Sequence, residues 1–208
     1  MTPYYQSAGI SIYHGDSRDV LPGLEQGFDA LVTDPPYGIG IAAAPTKWQR
    51  LAGATAEAWD DARPDFIVWA LRFAPVQIVW GGHFFGLPVS RGWLVWVKPD
   101  ALPSMSTVEL AWTNLDRCAQ HVTHSISATN PERVGHPTQK PLAVMKWTLA
   151  QLSPGARRLV DPFMGSGTTL VAARDMGLEA VGIELEECYC ELAAKRLLQQ
   201  AFDFGEAA

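Results

Sequence analysis

The 208 residues are 48% hydrophobic and 18% charged, which suits one packed core and excludes a largely disordered chain. The formal net charge of −6 excludes a uniformly basic nucleic-acid binder. The acids crowd the stretch after Ala156, however, while Lys47, Arg50, Arg91, Lys98 and Lys140 lie earlier, so a local basic face stays open.

The start, Met1-Thr2-Pro3-Tyr4-Tyr5, lacks the basic and apolar pattern of a signal peptide. No apolar run is long enough to span a bilayer. A soluble, cytoplasmic protein without membrane contact is the expectation. Ile10-Ser11-Ile12-Tyr13 alternates and reads as a strand, ending in the turn His14-Gly15-Asp16. A helical turn is expected over 20–24. The run 28–33 is nearly all apolar at its end, as in a strand buried on both faces. It delivers Asp34-Pro35-Pro36-Tyr37 at its carboxyl end. A loop rich in Gly, Ala and Pro follows to about Ala54, of a length that usually carries function; Trp48 and, near it, Trp59 are candidates for stacking on bases or for lid packing.

Residues 64–73 read as an amphipathic helix with Phe66, Ile67, Trp69, Ala70 and Phe73 along one side. Strands are expected at 76–80 and 93–97, separated by a break at Gly81-Gly82. His83 after that break reads as a loop histidine. Residues 108–115 and 119–126 are expected to pair antiparallel at a sheet edge. A polar loop runs over 127–139, and Pro141 opens a helix at a position proline tolerates, ending near Ser153-Pro154-Gly155. Then come a strand at 158–161, a glycine-rich turn at 162–167, a helix over 168–176 stopped by Gly177, a strand at 179–183 reaching Glu184, and a closing helix over 186–201. Strand and helix alternating through short links imply an α/β fold: a single doubly wound, mostly parallel sheet with an antiparallel edge hairpin. The whole chain reads as one domain, with a first half to about residue 126 and a second half from 127. Of the three cysteines, Cys118, Cys188 and Cys190, none forms a C-x-x-C pair, which favours neither disulfides nor a zinc site.

The segment Pro162-Phe163-Met164-Gly165-Ser166-Gly167 is a ligand-binding device: glycines admit close approach, and the following helix offers free N–H groups and a positive dipole end. A nucleoside triphosphate would want Lys after the second glycine, and Thr168 stands there. A dinucleotide would want a third glycine, where Leu170 stands. S-adenosylmethionine, which has no pyrophosphate, stays open. Glu184, at the end of the next strand, is placed to grip ribose hydroxyls in either adenosine-containing ligand.

Taken together, these motifs resemble the amino-methylating DNA methyltransferases in their circularly permuted order, with the catalytic motif before the cofactor motif. The resemblance covers most of the chain. It implies a Rossmann-like methyltransferase fold, S-adenosylmethionine as cofactor, and double-stranded DNA as partner. Asp34, Pro35, Pro36 and Tyr37 match the catalytic motif. Asp161, Phe163, Gly165, Ser166, Gly167, Thr168 and Thr169 match the cofactor motif, and Glu184 the ribose-binding position. His136-Pro137-Thr138-Gln139-Lys140-Pro141 matches a segment that contacts the methionine end of the cofactor, so Thr138 and Lys140 are candidate contacts, with helix capping as the alternative for Thr138. Asp16 matches a turn that contacts the cofactor's adenine.

The residue types suit the chemistry. The lone pair of an exocyclic base amine is delocalised into its ring. A carboxylate and a backbone carbonyl, each accepting one N–H, draw that nitrogen towards a tetrahedral, nucleophilic form. Tyr37 offers a flat face to a base that has left the duplex. Methylation at C5 of cytosine would need a thiolate, usually after proline, and Arg117, Glu187 and Tyr189 precede the three cysteines. In the resembled family an aspartate before the prolines favours adenine N6, with cytosine N4 and RNA amines as alternatives; a non-catalytic S-adenosylmethionine-binding or DNA-binding module is the alternative from another class. The departure from the family pattern is the short space for a target-reading region, about residues 128–135. A small target site, loose specificity, or recognition by the 39–54 loop, a second subunit or a partner protein is therefore expected. Restriction-modification, phage-borne and orphan roles all fit.

Overall fold

The computed structural model describes residues 1–38, 64–103, 105–128 and 139–203, with side chains to residue 199. Expected features at residues 39–63, His136 and Thr138 lie outside them.

Nine described strands form one sheet in the order β1-β2-β9-β8-β3-β4-β6-β5-β7. Its middle is parallel: β2 (Ile10–His14), β9 (Glu179–Glu184), β8 (Arg158–Asp161), β3 (Ala30–Thr33) and β4 (Val76–Trp80). Alternation decides which side chain serves which layer. On one face Ile12, Val32, Ile78 and Trp80 meet α3 (Leu142–Leu149), α4 (Thr168–Asp175) and α5 (Glu187–Asp203) through Met145, Leu170, Ala173 and Ala193. On the other face Leu31, Val79, Val160 and Ile183 meet Val20 of α1 (Ser17–Val20), the following Leu21, and Ile67 and Ala70 of α2 (Ile67–Ala70). Each large aliphatic side chain so buried contributes roughly 1.5–3 kcal/mol. All four residues of β3 are buried, as its apolar run requires.

Three elements differ from expectation. First, β1 (Tyr5–Ser7) pairs antiparallel with β2 through the two-residue turn Ala8-Gly9, both at positive φ (48° and 78°), the hairpin turn whose twist matches its strands. Second, the helix expected over 64–73 shortens to α2 and a 3-10 turn over Leu71–Phe73. Phe66 at its N-cap supplies no capping side chain, Ile67-Val68-Trp69 is a run of poor helix formers, and Pro75 forces Ala74 into an extended conformation (φ −147°, ψ 146°). Third, the edge is antiparallel, but not between the two strands expected to pair. β5 (Gly92–Val97) lies between β6 (Val108–Thr113) and β7 (Gln120–Thr123), antiparallel to the first and parallel to the second. Leu94 and Trp96 of β5 are buried, whereas β7 is mostly exposed, so burial gives β5 the interior position.

The connections set the site. From β8 the chain runs through α4 to β9 on one side; from β3 it runs through α2 to β4 on the other. The direction of winding reverses between β3 and β8, and their carboxyl ends lie side by side. Crevices at such a reversal are where open α/β sheets bind ligands.

Candidate active site

Beyond β3, Asp34 holds a side chain 22% exposed. The Tyr37 hydroxyl donates to Asp34 Oδ1 (2.5 Å), and Lys140 Nζ donates to Asp34 Oδ2 (2.6 Å) and to the Tyr37 oxygen (3.1 Å). Lys140, just before α3, is only 7% exposed and also lies 2.9 Å from Glu109 Oε2 on β6. The other Glu109 oxygen pairs with Lys98 at the end of β5. Two ammonium groups and two carboxylates thus alternate in the order Lys98, Glu109, Lys140, Asp34.

The charges respond to this packing. Burial works against the Lys140 ammonium, but Asp34 and Glu109 overcome it and hold its pKa well above the usual range. Burial would raise Glu109, yet the charges of Lys140 and Lys98 win and pull it down to about 2. Asp34 goes the other way: burial and the negative charge of Glu109 raise it against the pull of Lys140. Burial, then the charge of Asp34, drives the Tyr37 phenol well above its ordinary value.

The Tyr37 ring is stacked on Phe84 with centroids 5.0 Å apart and planes at 24°. It packs directly over Gly81, whose φ of +65° and absent Cβ make the approach possible. A side chain there would overlap the ring. The Gly81-Gly82 break in the sequence is therefore the seat of Tyr37.

At the other end, Thr33 donates its hydroxyl to Asp161 Oδ1 (2.7 Å), which also accepts the backbone N–H of Phe163 (3.0 Å). Burial pushes Asp161 up to about 6 against those hydrogen bonds. Ser17 Oγ donates to the Pro162 carbonyl (2.5 Å). Gly167 opens α4 at φ +77°, and a Cβ there would lie 2.7 Å from the Cβ of Ala193 on α5. Gly167 at the N-cap has no side chain with which to cap α4, and a helix start of this kind can offer its first N–H groups to a ligand. Arg196 of α5 fastens the turn by donating to the Ser166 carbonyl (2.5 Å) and the Thr168 hydroxyl (3.1 Å). Glu184 accepts from Gly165 N (3.0 Å) and Glu186 N (2.9 Å), and burial raises it to about 7.

One cleft of about 700 Å³ joins the two ends, lined by Asp34, Tyr37, Lys140, Glu109, Gly165 and Glu184 among others. Pro35, Pro36, Asp161, Phe163, Ser166, Thr168 and Thr169 also line it. Asp16 and Gly167 do not. Asp16 caps α1 by accepting from Arg18 N (2.8 Å) and pairs with the Arg18 guanidinium (2.6 Å). Lys140 sits against the catalytic motif. Sequence reasoning missed Lys98, Glu109, Phe84 and Arg196 as site residues. Glu109 left one signal, a lone acid in the otherwise apolar start of Val108-Glu109-Leu110-Ala111-Trp112.

A cleft with a poised carboxylate at one end and a glycine turn beside a second carboxylate at the other suits transfer between two substrates. The class this defines is the α/β methyltransferases that use S-adenosylmethionine, and the open start of α4, the glycine turn and Glu184 fit that cofactor. The family model for DNA methylases of the N6/N4 type matches residues 68–195, and the chain belongs to that family. It is an amino-methylating DNA methyltransferase, acting on N6 of adenine or N4 of cytosine. It is 27% identical to the Type II methyltransferase M.ScaI of Streptomyces caespitosus over 96% of this chain and 84% of that one. Its fold resembles that of M1.HpyAVI in complex with SAM (TM-score 0.60, 23% identity, 90% of this chain and 98% of that one). It also resembles the cytosine-N4-specific PvuII DNA methyltransferase (TM-score 0.59, 18% identity, 93% and 88%). No helix among the described residues is long and apolar enough to cross a membrane.

Proposed function

We propose that this chain methylates N6 of adenine in double-stranded DNA, taking the base out of the duplex into the end of the cleft formed by Asp34, Pro35, Pro36 and Tyr37. The observation that carries this reading is the Asp34 carboxylate, held by Lys140 and Tyr37 (2.6 and 2.5 Å) in the same cleft as the glycine turn. Each carboxylate oxygen can accept a second hydrogen bond, so Asp34 keeps capacity for one N–H of the amine. The Pro35 carbonyl takes the other, its direction fixed by the two prolines. When bound, S-adenosylmethionine supplies an electrophilic methyl group on a sulfonium sulfur. Asp34 aligns the amine, favours its tetrahedral form and receives the proton that the methylated nitrogen must lose. Lys140 and Tyr37 hold both carboxylate oxygens in place.

Tyr37 and Phe84 supply the stacking surface. A ring inserted between two others needs about 7 Å, two carbon contact distances of ~3.5 Å. Their 5.0 Å spacing is too small, so the base stacks on an outer face of the pair or displaces Phe84. Gly165, Ser166, Thr168 and Thr169 hold the cofactor on the turn that Gly167 shapes, with Glu184 on its ribose; Asp161 and Phe163 brace the turn, Thr138 adds a contact, and Asp16, outside the cleft lining and paired with Arg18, reaches the adenine only by giving up that pair. The chain acts as one domain, its first 126 residues supplying most of the catalytic half and residues 127–208 the cofactor half. It works inside the cell, with target choice supplied by residues 39–54, a second subunit or a partner, as the modifying arm of a restriction-modification pair.

The test is nucleoside mass spectrometry of unmethylated DNA incubated with the protein and S-adenosylmethionine. N6-methyladenine with no N4-methylcytosine is the expected product. N4-methylcytosine alone would overturn the adenine assignment.

A further inference from the structure

Glu109 takes no part in the motifs, yet it stands at the centre of the charged group in the cleft. Its carboxylate bridges two ammonium groups, Lys98 on one oxygen and Lys140 on the other. Those lysine side chains are 8% and 7% exposed. Two cations this close together in a poorly hydrated pocket repel each other unless an anion separates them. Without Glu109, Lys140 would be shared only between Asp34 and the Tyr37 oxygen, and Lys98 would lose the one acid it pairs with among the described residues. The cluster would then pass from two positive and two negative charges to a net positive charge, on the wall of a cleft that receives a sulfonium cation.

We infer that Glu109 is the positioning and charge-balancing residue of the methyl-transfer site: it holds Lys140 against Asp34 and removes the positive charge that would otherwise oppose the cationic cofactor. This rests on the reading of the Asp34 end of the cleft as the reacting end. The backbone supports the placement. Glu109 lies opposite Trp96 in the β5–β6 ladder, and Lys98 N donates to Thr107 O (2.9 Å), so paired strands hold both partners before any ligand arrives. Lys98 is fixed further by lying 4.6 Å from the centroid of the Trp96 ring, and Lys140 by lying 5.4 Å from that of Trp80.

The property that separates this role from simple packing is discrimination between the cofactor and its product. S-adenosylmethionine carries the sulfonium charge; S-adenosylhomocysteine, a neutral thioether of nearly the same shape, does not. Calorimetric Kd values for the two, without DNA, are measured for the parent, Glu109→Gln, Glu109→Asp and Lys98→Met. Glu109→Gln is expected to weaken S-adenosylmethionine on the order of tenfold more than S-adenosylhomocysteine. Glu109→Asp restores most of that difference, and Lys98→Met moves the ratio the other way. Equal weakening of both ligands by Glu109→Gln, or an unchanged ratio in Lys98→Met, overturns the inference. If Glu109→Gln does not fold, Lys98→Met decides alone. Because no DNA is present, a parent protein that methylates no DNA would refute the proposed function while leaving this comparison intact.

Discussion

Thr33 and Asp161, 128 residues apart, are joined by a 2.7 Å hydrogen bond between fully buried side chains. That bond ties the carboxyl end of β3, which carries the catalytic motif, to the carboxyl end of β8, which carries the cofactor turn. The two halves of the cleft are thereby registered on each other at the point where the sheet reverses its winding.

Thr33→Val keeps the shape and removes the donor. A buried carboxylate then loses one partner while keeping Phe163 N, at an expected cost of about 1–3 kcal/mol. Urea unfolding at neutral pH measures it. A loss below a few tenths of a kcal/mol would show that the bond does not register the two strands.

Asp34→Ala removes the group that aligns the amine. Methyl transfer in single turnover is expected to fall roughly a hundred- to a thousandfold, with Kd for S-adenosylhomocysteine changed by less than about threefold. Retention of full activity would falsify the proposed mechanism.

Gly81→Ala places a methyl group where the Tyr37 ring packs, at a φ of +65° that alanine tolerates poorly. The ring must leave its stack on Phe84. We expect a destabilisation of about 1–3 kcal/mol and a loss of methyl transfer larger than the loss of cofactor affinity. Equal losses would mean that Tyr37 does not serve the base.

Protonation of two carboxyls sets a pH dependence. Asp161 and Glu184 rise from 3.8 and 4.5 to about 6 and about 7, mainly through burial. The cofactor-free folded protein therefore binds more protons than the unfolded chain between about pH 4 and pH 7. Their contribution to stability is fully present below the unfolded values and is lost as pH rises through the folded ones, by on the order of 1–3 kcal/mol each. The urea midpoint should fall between pH 5 and pH 8, and Glu184→Gln should flatten the upper part of that fall. Cofactor affinity should run the opposite way, since an ionised Glu184 accepts ribose hydroxyls better, and should strengthen several-fold from pH 6 to pH 8. Affinity independent of pH in the parent would argue against a ribose contact by Glu184.

The local signals were those carried by periodicity, by glycine and by proline. The apolar run ending at Thr33, the strand Arg158–Asp161 and the turn from Pro162 to Gly167 each declare their form within a few residues, because buried parallel strands and tight turns restrict which side chains fit. The motifs placed Asp34, the glycine turn and Glu184 at strand ends, and the structure collects all three in one cleft. Sequence alone thus determined the fold class, the family and its cofactor. It did not determine the partners of β5, because strand order at an edge depends on which face is buried once every strand competes. Nor did it show that Gly81 seats Tyr37, or that Lys98 and Glu109 belong with Lys140 and Asp34. Those four charges come from four separate stretches of chain, and no local pattern encodes a contact between them. Only packing brings them within ion-pair distance, because in a poorly hydrated cleft each buried charge requires an opposite one nearby.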